Sequence, residues 1–213
     1  MTRMGVFGGT FDPVHLGHVA LAREVRQIMD LETVQLLPCL IPPHKVREDL
    51  TPGADRLAML ALAAQDAPEL IPSSLELLRP APSYTIDSLR QIQASRPHVR
   101  LFFLMGMDSF LELRLWKEYD NLLQEFHLVV FGRPGCMELP ADADLPEAAR
   151  KRMVQGNRAA DQRDGRIHMV QINPHDLSST AIRLKARHGE SLEGLVAPPV
   201  ESYLRRCNLY TRP

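Results

Sequence analysis

Short apolar runs alternate along the chain with longer stretches in which apolar residues recur every three or four positions. Residues 3–7, 33–37, 70–71, 99–105, 127–131 and 167–172 are the runs, and they read as buried strands. A further extended stretch is expected near residues 75–78. The run at 99–105 is apolar almost throughout, which predicts an interior strand covered on both faces. Helical spacing marks residues 19–29 and 53–64, a segment capped by Ser83 or Thr85 that runs to about residue 94, and a helix near 146–154. Later helices end near Gly189 and span residues 199–207. Strands alternating with helices predict an α/β fold: a doubly wound, mostly parallel sheet with helices on both faces.

Composition narrows the class. The 213 residues suffice for one core, so a single domain over residues 1–213 is expected, with a polar surface excursion at about 137–165. A net charge of −1 provides no broad basic field, which argues against a nucleic-acid or anionic-membrane partner. The start lacks a signal-peptide pattern and no apolar stretch is long enough to span a bilayer, so a soluble, cytoplasmic protein is expected. Cys39, Cys136 and Cys207 are scattered and never paired as C-x-x-C, so they are read as reduced and passive.

The chemistry concentrates in Gly8-Gly9-Thr10-Phe11-Asp12-Pro13-Val14-His15-Leu16-Gly17-His18, a turn from the first strand into the first helix. A helix start offers unpaired N–H groups and the positive end of the helix dipole, which suit a phosphate. His15 and His18, three residues apart, project from one face of the first turn. Neither a P-loop nor a G-x-G-x-x-G fingerprint is present, so this turn must serve as the phosphate cradle. Lys45 lies on a loop past a strand's carboxyl end, where parallel sheets place ligands. Ser179, Thr180 and Arg183 add donors at a late helix start, and the fork of Arg183 fits phosphate oxygens in pairs.

Thr10, His15, Gly17 and His18 resemble the T/HxGH signature of the nucleotidyltransferase superfamily. The full run from Gly8 to His18 is similar to that of its bacterial nicotinate-nucleotide adenylyltransferases. Leu177-Ser178-Ser179-Thr180-Ala181-Ile182-Arg183 resembles the second signature, ISSTxIR, with leucine in place of the first isoleucine. The resemblance covers nearly the whole chain, including Arg133-Pro134-Gly135 and the closing Tyr-x-x-x-x-x-x-Tyr segment. It implies a Rossmann-like fold and adenylyl transfer from ATP to nicotinate mononucleotide, giving nicotinate adenine dinucleotide and pyrophosphate, a step of NAD biosynthesis.

The same resemblance implies the site. Gly8, Gly9, Thr10, Phe11, His15, His18, Gly106, Asp108, Ser179, Thr180 and Arg183 would contact ATP, with Asp108 accepting ribose hydroxyls. His15, His18, Lys45 and Arg183 would act in catalysis. Lys45, Tyr84, Thr85 and Trp116 would hold the mononucleotide, Trp116 by stacking on its ring. Mg²⁺ would be held mainly through substrate phosphates, with no protein metal site, and homo-oligomerisation stays open.

Plainer readings exist for each residue. A metal pair at His15 and His18 lacks a third ligand at suitable spacing. Lys45 alone reads as a solvated loop charge, Thr85 and Asp108 as helix caps, Trp116 as a packing residue and Arg183 as a surface ion pair. His44, His98, His168, His175 and His188 show no partner pattern and are read as structural. Nicotinamide mononucleotide or phosphopantetheine as acceptor, and a nucleotide-sensing protein without catalysis, are the competing functions.

Overall fold

A computed structural model of the protein describes residues 1–41, 49–132, 144–158, 160–162, 164–173 and 177–211. Its strands are β1 (Thr2–Gly9), β2 (Thr33–Pro38), β3 (Leu70–Pro72), β4 (Val99–Gly106), β5 (His127–Gly132), β6 (Met153–Gln155) and β7 (Ile167–Gln171). They form one sheet in the order β3-β2-β1-β4-β5-β7-β6, every pairing parallel. The helices are α1 (Leu16–Met29), α2 (Gly53–Ala63), α3 (Thr85–Ser95), α4 (Met107–Leu111), α5 (Tyr119–Glu125), α6 (Glu147–Arg152), α7 (Ser179–Arg187) and α8 (Pro198–Arg206).

Alternation along each strand divides the core in two. Phe7, Phe102, Leu104, Val129 and Val170 point to the face covered by α1, α2, α7 and α8. Val6, Leu101, Phe103, Met105, Val130 and Met169 point to the face covered by α3, α4, α5 and α6. The helices therefore lie on both faces, as the sequence pattern predicts. On α1 the apolar positions Ala22, Val25 and Met29 recur at helical spacing and are fully buried, and each such side chain contributes roughly 1.5–3 kcal/mol when Val-sized or larger. The helix stops at Asp30, whose left-handed backbone (φ 53°) returns its N–H to the carbonyls of Arg26 and Gln27.

The order of strands matters for function. The chain moves outward from β1 to β2 and β3, then returns to β4 on the other side of β1. Adjacent strands whose connections leave in opposite directions open a crevice at their carboxyl ends.

Three expectations are corrected. Residues 75–78 form a turn, not an extended segment: Leu75 packs on the α3-side core while Leu78 is exposed, and neither pairs with a strand. The helix expected to reach residue 154 stops at Arg152, where Met153 pairs with Ile167 and starts β6. The stretch expected to be a surface excursion thus supplies the sheet's edge strand, and its Leu145, Ala149 and Ala160 are buried. Among the described residues, no helix is long and apolar enough to cross a membrane.

Candidate functional site

At the end of β1 the chain turns sharply through Phe11 (φ 49°) and the cis Asp12-Pro13 peptide before α1 begins. Gly9 packs closely here, since a Cβ would sit 3.0 Å from the Phe11 ring and press that ring to shift. His15 caps α1, and the cap is reciprocal: His18 N–H donates to His15 Nδ1 at 3.3 Å, and His15 N–H donates to His18 Nδ1 at 3.2 Å. The rings stack with centroids 3.6 Å apart. Since both Nδ1 atoms accept, each neutral ring carries its proton on Nε2.

Burial lowers the pKa of His15 to about 4. Burial, reinforced by His15, lowers that of His18 to about 3. Near pH 7 the pair thus offers two neutral N–H donors at the positive end of a 14-residue helix. An arriving polyphosphate would favour the charged rings and raise both values.

Two connected lobes open above this turn. The larger, about 750 Å³, is lined by the Gly8–Thr10 backbone, His15, His18, Gly106, Asp108 and Leu177 among others. The smaller, about 210 Å³, is lined by Cys39, Glu76, Ser83, Tyr84, Thr85 and Lys117 among others. Gly8, Gly9, Thr10, Phe103, Ser109 and Trp116 line both, so they form the junction. Trp116 stands edge-on to Phe103 at 5.9 Å. At Gly106 a Cβ would meet Asp108 Oδ1 at 2.5 Å, so glycine lets that carboxylate fold back over the end of β4.

No side chain caps α3: its N-cap is Tyr84, not Ser83 or Thr85 as expected. Ser83 Oγ instead accepts from Leu40 N–H at 3.4 Å. The first N–H groups of α3, at Thr85, are thereby left to whatever enters the smaller lobe. Glu76 is buried there, bonded by Ser88 Oγ at 2.6 Å, and burial raises its pKa.

The second sequence signature meets the first. Ser179 Oγ donates to Pro13 O at 2.9 Å, and Arg183 Nη1 donates to Asp12 O at 2.6 Å and Nη2 to Thr180 Oγ1 at 3.1 Å. These three side chains hold the turn that leads into α1 and line neither lobe, while Leu177 lines the larger one. Phe11 differs from expectation: its side chain is buried in the core, edge-on to His18, and the residue lines neither lobe. Lys45 and Arg133-Pro134-Gly135 lie outside the described residues.

Sequence reasoning passed over several residues. Arg56, on α2, is fully buried and donates to three carbonyls: Thr51 at 2.9 Å, Thr10 at 2.8 Å and Leu40 at 3.2 Å. It ties the exits of β1 and β2 together, and its only signal was an arginine on an apolar helix. Glu76, Ser109 and Lys117 had no local signal at all.

Comparison with known proteins agrees with this picture. A family model described as cytidylyltransferase-like matches residues 6–185. A protein of Desulfatibacillum aliphaticivorans named probable nicotinate-nucleotide adenylyltransferase is 37% identical, the match covering 98% of this chain and 99% of that one. A Symbiobacterium thermophilum protein of the same name is 39% identical, covering 100% and 97%. The solved structure of Plasmodium falciparum nicotinic acid mononucleotide adenylyltransferase complexed with NaAD superposes with a TM-score of 0.73 at 17% identity, covering 99% of this chain and 98% of that one, and so shares the fold.

Proposed function

We propose that this chain, which belongs to the cytidylyltransferase-like family and within it to the nicotinate-nucleotide adenylyltransferases, transfers the adenylyl group of ATP to nicotinate mononucleotide. One observation carries the reading: two lobes of unequal size meet at a glycine-rich strand end, where a pair of imidazole donors faces the larger lobe. Two nucleotides placed in those lobes bring their phosphates together over Gly8, Gly9 and Thr10.

A phosphate oxygen of the mononucleotide attacks the α-phosphorus of ATP. The new P–O bond forms as the bond to the bridging oxygen of pyrophosphate breaks, and pyrophosphate leaves; no side chain is covalently modified. Thr10, His15 and His18 donate where negative charge gathers on the α-phosphate. Ser179, Thr180 and Arg183 take the β- and γ-phosphates, and Gly106 and Asp108 the ribose. Tyr84, Thr85 and Trp116 form the walls of the acceptor lobe, with the start of α3 facing the ring's carboxylate. Lys45 keeps its sequence-derived role at the acceptor phosphate. Magnesium would be held mainly through the nucleotide's own phosphate oxygens and would offset charge on the leaving pyrophosphate.

Pyrophosphate release measured with each acceptor tests the proposal. Nicotinate mononucleotide is expected to support the fastest turnover. Equal turnover with nicotinamide mononucleotide, or turnover with phosphopantetheine alone, overturns the acceptor assignment. Nucleotide binding with no pyrophosphate from any acceptor overturns catalysis.

A further inference from the structure

The closing tyrosines have no part in the chemistry above, yet both reach far across the chain. Tyr203 O–H donates to Asp55 Oδ1 at 2.7 Å, fastening α8 to α2. Tyr210 O–H donates to Asp12 Oδ1 at 2.6 Å, on the turn between β1 and α1. The two bonds are alike in chemistry and length. They differ in what they hold.

The Asp12 turn depends on remote ties. Phe11, a bulky residue at positive φ, sits in a conformation its side chain disfavours, so neighbouring contacts must maintain it. The Thr10 carbonyl is held by Arg56, the Asp12 carbonyl by Arg183 and the Pro13 carbonyl by Ser179. The Tyr210 bond is the further tie, and it takes the Asp12 side chain. Asp12 is buried, and burial beside its carboxylate raises the Tyr210 phenol far above its usual range, so the phenol remains a donor. The Tyr210 ring packs against the core on the α1 side. The Asp12 carboxylate is buried in the turn that leads to His15 and lines neither lobe, and this bond is one of the contacts that set its direction.

We infer that Tyr210 is a positioning residue for the ATP subsite: its hydroxyl orients Asp12 and thereby sets the turn that presents His15, His18 and Arg183 to the triphosphate. The inference rests on the proposed reading of the larger lobe as the ATP lobe.

The test compares Tyr210→Phe with Tyr203→Phe. Both remove one phenol–carboxylate hydrogen bond and keep the ring. KM for ATP, KM for nicotinate mononucleotide and the melting temperature with and without Mg-ATP are measured for each. Tyr210→Phe is expected to raise KM for ATP about tenfold, to shrink the ATP-induced melting shift, and to leave KM for the mononucleotide within about twofold. Tyr203→Phe is expected to lower the ligand-free melting temperature about as much as Tyr210→Phe does, to keep the ATP-induced shift, and to leave both KM values within about twofold. A chain ending at Leu209 gives a second variant with the same expectation as Tyr210→Phe. If either folded variant lacking the Tyr210 hydroxyl keeps the parental KM for ATP, the inference is overturned. If the parent itself shows no ATP-induced shift, the ATP-lobe reading fails instead, and the two failures are told apart by that control.

Discussion

Two pairs of histidines lie in this sheet's cores, and they do opposite things. His15 and His18 stack at the carboxyl end of β1, and His127 and His168 meet across β5 and β7 with Nδ1 and Nε2 3.0 Å apart. Burial lowers the pKa of all four, to about 4 for both His15 and His127 and about 3 for His18. What separates the pairs is where their ring nitrogens go. In the first pair both Nδ1 atoms are used by the helix cap, and both Nε2 donors remain for a ligand. In the second, His168 Nδ1 lies 2.8 Å from Gly156 O and His127 Nε2 3.2 Å from Gln162 O, so both outer ends face backbone carbonyls.

Proton counting sharpens the contrast. The three contacts of the His127–His168 chain need three ring protons, and two neutral imidazoles bring two. Protons on the two Nδ1 atoms satisfy the shorter contacts and leave the longest, to Gln162, without one. His168 is 0% exposed and His127 stacks on Phe102 at 4.7 Å, so nothing can enter between them. A titratable pair with lowered pKa values is therefore a site in one place and a brace in the other. Access to the second nitrogen decides which.

The largest expected effect is on the first pair. His18→Ala should lower turnover about a hundred- to a thousand-fold, roughly 2.7 to 4 kcal/mol in the transition state, while the lost cap partner costs only about 1 kcal/mol of folding stability. Steady-state pyrophosphate release on the purified variant measures it, and near-parental turnover would remove the imidazole from the mechanism. The second pair should behave in reverse. His168→Ala is expected to cost about 2 to 3 kcal/mol of folding stability in urea denaturation, because His127 Nδ1 loses its buried partner, while turnover per folded molecule stays within about twofold. A large loss of turnover in that variant would break the comparison.

A smaller effect comes from pH. Unfolded imidazoles titrate near 6.5, whereas these four take protons only at lower pH when folded. Between pH 6.5 and about 4 the unfolded chain holds more protons, so stability should fall as pH drops through that window and stay flat above about pH 7. Saturating ATP should soften the fall due to His15 and His18 and leave that due to His127 and His168. Denaturation midpoints taken across the range, with and without ATP, would show no such split if both pairs were sealed from ligand. The smallest effect is expected from Phe102→Leu, which loosens the stack on His127 and should cost about 1 kcal/mol without altering KM for either substrate.

The first pair was legible in the sequence and the second was not. His15 and His18 lie three apart at a strand-to-helix turn, so local periodicity places both on one face. His127 and His168 are 41 positions apart and meet only because β5 and β7 are neighbours in the sheet. The same reason hid Arg56: a guanidinium buried among carbonyls looks, in sequence, like any helix arginine. The sheet and its two helical layers followed from alternation over long segments, while β6, at three residues, was too short to carry a period. Phe11 shows the limit from the other side, since the run that marks the site says nothing about which of its members turns inward.

The bond between Tyr210 and Asp12 also bears on how the protein is made. The turn between β1 and α1 is laid down at residue 12, but the phenol that bonds to it is added 198 positions later. A growing polypeptide therefore has this turn in place through almost all of its synthesis before the residue that bonds to it exists.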